Sequence, residues 1–388
     1  MTLPDISECS YSLFSRDVHL KAAGQRVPIS GAIELTSRCN LRCRHCYVVG
    51  TTASSQKHSQ LPSQILHNLI DEVAHEGCLW LTFTGGEVLA RHDFTDIYLY
   101  AKRKGLIITL FTNGTLLTPR LADFLAEYPP FRVDMSLYGM SEDTYCRFTG
   151  VPGSYQRAMR AIDLMLERKL SLQLKTMLTT ITLSEVMAMK RFAKGLGLLF
   201  RYDAFVTPDL DGGKAPLRLR LTPEEIVSFE MADEERMASW RKFVSKRKPQ
   251  RRGDNLYNCG AGTVNFHINS SGHLLTCALG EEPGYSLVEG SFHYGFYELF
   301  PRIRAQGFSR PSPCRECRIS YLCPQCPVWG RLETGDPERP VGFLCKVAHQ
   351  MARALGVGPE GGPPEMELNL PVPALGGASY PQGREGQQ

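Results

Sequence analysis

Short apolar segments alternate with amphipathic segments from Ala32 to about residue 204. Apolar runs bounded by glycine, proline or polar residues predict strands, and apolar stripes that recur every three to four residues predict helices. The predicted strands are 33–36, 79–84, 106–112, 131–137, 172–178 and 198–204, and the predicted helices between them are 62–76, 94–104, 121–128, 154–169 and 183–195. Strands that alternate with helices in this way indicate parallel βα units.

These units are too few for a closed eight-fold barrel, which takes roughly 250 residues. The sequence therefore predicts an α/β fold, a partial (β/α)6 TIM-like barrel. Active sites of parallel α/β folds collect at the C-terminal ends of the strands. We expect four strand-end segments to crowd one rim: Cys39–Cys46, Gly85–Glu87, Asn113-Gly114 and Ser136.

The segments outside the barrel follow other patterns. Residues 1–30 lack periodicity and are expected to form an extended lead-in, with room for a short edge hairpin. Thr222-Pro223-Glu224 predicts the start of a helix that runs to about Phe243. Segments 263–269 and 273–277 predict a hairpin. The predicted domains are a lead-in (1–30), the partial barrel (31–220), a helical basic connector (221–255), a small cysteine-rich α+β domain (256–355) and a disordered tail (356–388).

Composition and charge narrow the function classes. The 388 residues are 43% hydrophobic and 22% charged, as is ordinary for a globular protein. A net charge of +4 is too small to imply nucleic acid. Neither a membrane span nor a signal-peptide pattern is found, so we expect a cytoplasmic protein without a membrane partner. The basic run Arg241–Arg252 favours a solvated connector over a docking patch for an acidic partner.

Cysteine is the residue type that points to chemistry. Of thirteen cysteines, Cys9, Cys78 and Cys146 stand apart and are interpreted as small buried hydrophobes. The other ten form two clusters, which in a cytosolic chain indicate metal. The first cluster is Cys39-x3-Cys43-x2-Cys46, and the second contains Cys259, Cys277, Cys314, Cys317, Cys323, Cys326 and Cys345.

The first cluster provides three thiolates, one fewer than a [4Fe–4S] cluster normally takes. One iron would then be open to a substrate or cofactor. For the second cluster, zinc is the alternative, with Cys314/Cys317 and Cys323/Cys326 as a knuckle. Because these pairs are only five residues apart and seven thiols divide awkwardly into tetrads, iron–sulfur chemistry is favoured over zinc.

The chain resembles the radical S-adenosylmethionine (SAM) superfamily. The resemblance rests on Cys39-x3-Cys43-x2-Cys46 after the first strand and Thr84-Gly85-Gly86-Glu87 after the second. It implies that the three thiolates hold a [4Fe–4S] cluster whose open iron binds SAM, which is cleaved to a 5′-deoxyadenosyl radical. It also implies SAM contacts, at the methionyl amino group for Gly85, Gly86 and Glu87, at adenine for His45, and at ribose and carboxylate for Ser136 and Arg147. Arg147 is one residue out of step with the family pattern. Taken singly, these residues also fit a turn, a packed ring and a surface charge.

The second cysteine cluster resembles the SPASM domain, the auxiliary-cluster extension of radical SAM peptide maturases. The resemblance implies that a distal [4Fe–4S] cluster is held by Cys314, Cys317, Cys323 and Cys345, and a nearer one by Cys259, Cys277 and Cys326. The last pair is spaced x2 where the family more often has x3. Residues 250–258 contain no cysteine, so the nearer cluster is expected to have an open site or an unidentified ligand.

These resemblances imply a maturase that crosslinks, epimerises or oxidises a peptide or protein. Ala278 replaces the aspartate of the sulfatase-maturing branch, which argues against that branch. Tailoring of tetrapyrrole side chains in haem-type biosynthesis is the alternative. A non-catalytic iron–sulfur electron carrier is a third possibility, which Gly85–Glu87 argues against. The expected partners are an electron donor such as a flavodoxin or ferredoxin and, because the lead-in is short, a separate leader-peptide-binding protein.

Overall fold

A nine-stranded sheet forms the centre of the protein in the computed structural model, which describes residues 10–48, 60–247, 250–280 and 284–357. Cys9, most of the predicted loop 47–60 and nearly all of the predicted tail lie outside the described residues. Six strands are parallel. From the edge of the sheet inward they follow one another in reverse chain order: β6, β5, β4, β3, β2, β1. Their bounds are β1 Ser30–Thr36, β2 Trp80–Gly85, β3 Ile107–Thr112, β4 Arg132–Ser136, β5 Leu172–Met177 and β6 Leu199–Asp203. The predicted partial barrel of six βα units is confirmed.

Helices cover the outer face of these strands because alternate strand residues are apolar. Ile33, Phe83, Leu110 and Val133 point outward and are almost fully buried against the helices. The helices are α1 Tyr11–Gln25, α2 Ser63–His75, α3 Phe94–Arg103, α4 Pro119–Glu127, α5 Glu142–Thr149, α6 Ser154–Glu167 and α7 Val186–Gly195. The sequence did not predict α5, whose short buried face consists of Thr144, Tyr145, Phe148 and Thr149.

The expectation of an extended lead-in is wrong, because residues 11–25 form α1. This helix escaped periodicity analysis because it buries only Ala22 completely. It is held by aromatic contacts at the start of the barrel strands. The Tyr11 ring lies 4.8 Å from Phe131, and its hydroxyl accepts a 2.7 Å hydrogen bond from Trp80 Nε1. Tertiary contacts rather than an amphipathic stripe therefore stabilise α1.

The predicted helix from Thr222 to Phe243 is two helices, α8 Pro223–Ala232 and α9 Glu234–Ser245. The start is as predicted, since Thr222 and Glu225 form a capping box. The break is at Asp233, which takes an extended conformation and accepts hydrogen bonds of 2.7 and 2.9 Å from Lys190 Nζ. The ion pair between Lys190 and Asp233 therefore stabilises a break in the helix that the local sequence predicts to be continuous.

The predicted hairpin of the C-terminal half is present, as β7 Asn265–Ile268 and β8 His273–Leu275. A further short strand, β9 Tyr285–Ser286, pairs with β8. The remaining helices are α10 Phe292–Tyr294, α11 Phe300–Arg304, α12 Pro313–Glu316, α13 Pro327–Thr334 and α14 Gly342–Ala354, with a π-helical turn at Gly295–Leu299. No helix among the described residues is long and apolar enough to span a bilayer.

The hairpin joins the barrel sheet, because β7 pairs in parallel with β1. Gly31 lies opposite Phe266 in this pair, and a Cβ atom on Gly31 would lie 2.0 Å from the Phe266 ring. Phe266 is itself buried and packs edge-on against Phe292 at 4.8 Å. Because Gly31 has no side chain, β1 leaves room at this position for the Phe266 ring of the C-terminal half.

We expect Gly31→Val to destabilise the protein by about 1–3 kcal/mol, because the new side chain overlaps a buried ring that cannot leave. Anaerobic urea unfolding followed by tryptophan fluorescence measures the change. The double variant Gly31→Val/Phe266→Ala relieves the overlap, so its loss of stability should be smaller than the sum of the two single losses. Additive losses would show that this contact does not set the junction.

Candidate functional site

The three N-terminal cysteines lie on the loop that leaves β1 at the C-terminal rim of the barrel. This loop is held to the end of α5 by backbone hydrogen bonds from Arg42 N to Thr149 O (2.8 Å) and from Arg44 N to Phe148 O (3.0 Å). Burial raises the pKa of the Cys39 thiol to about 11 and raises that of Cys43 strongly, and the neighbouring thiols act in the same direction. Such thiols ionise when a positively charged metal centre binds them. The loop therefore carries three soft potential ligands, and their binding of a metal centre stays a prediction, since no group of three or more potential ligands placed to hold a metal ion is found among the described residues.

The Gly85-Gly86-Glu87 segment after β2 is bonded directly to the cysteine loop. Gly86 N donates to Thr36 O at 2.8 Å, and Glu87 N donates to Arg38 O at 2.9 Å. Gly85 has a φ of +127°, and a Cβ on it would lie 2.3 Å from Thr36 O. A Cβ on Gly86 would lie equally close to Arg38 O. Both glycines are needed because two backbone segments touch here.

Glu87 is fully buried and joins β2 to β3. Its carboxylate accepts hydrogen bonds from Leu89 N (3.0 Å), Thr112 Oγ1 (2.6 Å) and Asn113 N (2.7 Å). Burial raises its pKa, and these three donors oppose the rise. The carboxylate thus positions the rim, and its predicted contact with an ammonium group stays a prediction.

Asn113 follows β3 directly and contacts the cysteine loop. Its side-chain amide donates to Asn40 Oδ1 at 3.1 Å and approaches Cys39 Sγ at 3.7 Å. The strand ends of β1, β2 and β3 are therefore linked by direct hydrogen bonds, as expected for a shared rim. Asn113 was not among the predicted ligand-binding residues, although its place directly after a strand was the signal for it.

His45 packs against an aromatic group formed by Tyr138, Tyr145 and Phe148. Its ring centre lies 4.6 Å from Phe148 and 5.3 Å from Tyr138, and its Nδ1 is buried without a hydrogen-bond partner. Burial lowers the His45 pKa to about 4, so the ring is neutral at physiological pH. A neutral, flat ring beside the cysteines suits the predicted stacking role.

Ser136 ends β4 next to this aromatic group, and its carbonyl accepts from the Tyr145 hydroxyl at 3.4 Å. Arg147 lies elsewhere: its side chain is 53% exposed and forms a 3.2 Å ion pair with Asp143 on the outer face of α5. The opposite face of α5 carries Tyr145 and Phe148. The structure therefore brings Ser136, but not Arg147, to the cysteine loop.

The seven C-terminal cysteines separate into two groups. Burial raises the pKa of Cys323 to about 12, and the thiols of Cys345, Cys314 and Cys317 raise it further. These four thiols line one cavity of about 700 Å³. Burial likewise raises the pKa of Cys326 to about 11, with Cys277 and Cys259 acting in the same direction. These groups are the two ligand sets that the resemblance implied, and ligation itself stays a prediction.

Comparisons with known proteins agree with this arrangement. Residues 33–193 match the model of the Radical SAM superfamily. An AdoMet-dependent heme synthase of Methanosarcina barkeri is 32% identical over 332 residues, which cover 79% of this chain and 93% of that protein. The chain belongs to the radical SAM superfamily. The predicted membership, with a SPASM-type C-terminal half, is confirmed, and the protein is an enzyme that uses SAM and a [4Fe–4S] cluster.

Two further similar proteins have names that refer to a bacteriocin or to a precursor peptide. The subtilosin biosynthesis protein AlbA of Bacillus subtilis is 23% identical over 314 residues, which cover 78% of this chain and 68% of that protein. The crystal structure of Streptococcus suis SuiB bound to precursor peptide SuiA has a TM-score of 0.65, with 16% identity, and covers 89% of this chain and 83% of that one. This likeness establishes the same fold.

The residues of this radical SAM enzyme fit its cofactors. Three thiols sit beside a glycine cradle, and an unpartnered imidazole nitrogen lies in the same loop. When bound, cluster and SAM supply reductive cleavage of the sulfonium to a 5′-deoxyadenosyl radical. The protein's own part is to hold the thiols, keep the glycine backbone close to them and exclude water with the Tyr138 and Phe148 rings.

Sequence reasoning missed two residues that support this site. The Arg91 guanidinium is buried and donates to Leu35 O at 2.8 Å and Leu61 O at 2.9 Å, which secures the end of β1. Tyr47 follows the last cysteine, and burial raises its pKa, with Glu34, Cys46 and Cys277 acting in the same direction. The charges of a thiol from each half of the chain, Cys46 and Cys277, therefore act on Tyr47. Its adjacency to Cys46 was the only available signal.

Proposed function

We propose that this enzyme cleaves SAM at the Cys39–Cys46 loop and directs the radical to a peptide or protein substrate. The observation that carries the proposal is the pair of backbone hydrogen bonds from Gly86 and Glu87 to the cysteine loop. They put Gly85–Glu87, which resembles a SAM-recognition motif, next to the loop that carries three thiols. An electron carrier without catalysis would need no such motif.

A peptide substrate is supported by an open sheet edge beside the rim. Strand β6 is at the end of the sheet, and three of its five residues, Leu199, Arg201 and Asp203, are exposed. Unpaired N–H and C=O groups on an edge strand can bind an extended peptide backbone. The relatives point the same way, since AlbA is named for bacteriocin biosynthesis and SuiB was crystallised with a precursor peptide.

A tetrapyrrole substrate is the second candidate, supported by the similarity to heme synthase over 93% of that relative. Lys175 and Arg201 lie in one register row with Ser136 across β4, β5 and β6. The Lys175 ammonium lies 3.7 Å over the Phe111 ring and pairs with Asp134, which also pairs with Arg132. Two cations thus pair with one buried carboxylate, Arg201 lies in register with one of them, and a carboxylate-bearing substrate would complement this group.

The two substrate classes are distinguished by one anaerobic assay. The reconstituted enzyme receives SAM, a reductant and either a small peptide encoded beside its gene or Fe-coproporphyrin III. We expect a mass change in the peptide and an unaltered porphyrin absorption spectrum. Loss of carboxylate carbon from the porphyrin, with an unmodified peptide, would assign the enzyme to tetrapyrrole tailoring instead.

A further inference from the structure

A cluster of cations lies beside the distal cysteines of the C-terminal half. Helix α9 packs through Trp240, Phe243 and Val244 onto an apolar group that includes Ile319 and Leu322, and Cys317 and Cys323 contact the same group. The Phe243 ring lies 6.3 Å from Tyr321. The basic run that begins at Arg241 is therefore fixed next to these thiols, and is more than a solvated connector.

Most of these cations have no carboxylate to neutralise them. Arg241, Lys242, Lys246 and Arg247 are exposed, and within the described ranges none of the four forms an ion pair. The Arg247 guanidinium is held 4.5 Å over the Phe243 ring. The nearby carboxylates Glu316 and Asp254 are already paired, with Arg251 and Arg315. The surface therefore presents a net positive field to solvent.

The same surface surrounds an accessible thiol group. Cys345 is exposed, and the cavity lined by Cys314, Cys317, Cys323 and Cys345 is also lined by Arg252, Arg318 and His349. Lys346, next to Cys345, is exposed as well. The two C-terminal cysteine groups are adjacent in the chain, because Cys326 follows Cys323 by three positions.

We propose that this cationic surface, defined by Arg241, Lys242, Lys246, Arg247, Arg318 and Lys346, docks an acidic one-electron carrier protein that delivers electrons at the distal cysteines. Charge complementarity supports this partner, because oppositely charged surfaces accelerate and orient encounter. Cys314, Cys317, Cys323 and Cys345 would hold the iron–sulfur group that gains the one electron that the reduced carrier loses in each transfer. That electron is the one that SAM cleavage consumes, so the proposal rests on the proposed function.

The test compares two triple variants with the same change in charge. Arg241→Gln/Lys242→Gln/Lys246→Gln removes three cations of the surface. The matched control, Arg103→Gln/Arg120→Gln/Arg160→Gln, removes three exposed cations from α3, α4 and α6. Binding of oxidised flavodoxin, an acidic flavin protein, to the reconstituted full-length enzyme is measured by calorimetry at low and moderate salt. Formation of 5′-deoxyadenosine is measured with reduced flavodoxin and, separately, with dithionite.

We expect the first variant to weaken flavodoxin binding about tenfold or more at low salt, and the control variant to bind like the wild type. Rates with dithionite should be equal in all three proteins, whereas the rate with limiting flavodoxin should fall only in the first variant. Unchanged binding in the first variant overturns the proposal. Equal binding of an acidic protein without a redox cofactor also overturns it. If dithionite yields no 5′-deoxyadenosine, the proposed function fails, and calorimetry still decides the docking.

Discussion

Cys43→Ala should reduce 5′-deoxyadenosine formation to the level of a protein-free control. Cys43 is the middle one of the three predicted ligands, and two remaining thiols would not hold a [4Fe–4S] cluster with a site for SAM. Iron content should fall from roughly twelve to roughly eight per chain, since three clusters of four would become two. Anaerobic reconstitution, iron analysis and chromatography of the reaction products measure both effects.

Cys146→Ala is the matched control for this variant. Cys146 lies on α5, the helix bonded to the cysteine loop, and belongs to neither cysteine group. We expect it to retain wild-type iron content and activity. Persistent 5′-deoxyadenosine in Cys43→Ala would refute the assigned cluster ligands. A wild-type iron content near four would instead refute the two auxiliary clusters and leave SAM cleavage standing.

Gly86→Ala should weaken SAM binding while removing no polar group. The added methyl would lie 2.3 Å from Arg38 O and 2.6 Å from Ser37 O, which are backbone atoms on the cysteine loop. To accommodate it, the glycine segment and the cysteine loop must separate, which breaks the bonds that align them. We expect SAM affinity to fall about tenfold or more and stability to fall by about 1–3 kcal/mol. Calorimetric SAM titration and anaerobic urea unfolding measure the two changes.

Gly24→Ala is the comparison for Gly86→Ala. Gly24 lies in α1 with no atom within 4 Å of an added Cβ, and neither glycine has a positive φ. The same methyl in open space should leave SAM binding unchanged and raise stability by up to about 1 kcal/mol. SAM binding by Gly86→Ala at wild-type affinity would mean that the contact between the two loops does not form the cofactor site.

The fold within residues 31–204 followed from sequence because every strand there alternates with an amphipathic helix. Periodicity identified the six strands to within one to three residues at each end. Within this range α5 was missed, because its buried face is short. Two errors outside the range have a common physical cause, which is dependence on residues distant in the chain. Helix α1 has no apolar stripe and is held by contacts of Tyr11, Phe14 and His19 with the distant rings of Phe131 and Trp80. The break between α8 and α9 depends on Lys190, a residue more than forty positions away from Asp233.

The predicted site residues also fall into those whose place follows from local sequence and those whose place depends on packing. Cys39, Gly86 and Ser136 were found because motif spacing and strand-end position are both local in sequence. Arg147 was assigned by position along the motif, but on α5 its direction is set by which face packs on the barrel. Since Tyr145 and Phe148 take that face, Arg147 points to solvent.

The sequence by itself indicated the chemistry of this protein, because ten cysteines at characteristic spacings and a Gly-Gly-Glu segment predict cluster ligands and SAM contacts from local pattern alone. Tertiary structure alone decided how those ligands are related in space. The pairing of β7 with β1 over Gly31 joins the two halves in one sheet. Packing of Trp240, Phe243 and Val244 also fixed α9 beside the apolar group that Cys317 and Cys323 contact. Such relations depend on contacts between residues far apart in the chain, which neither periodicity nor spacing encodes.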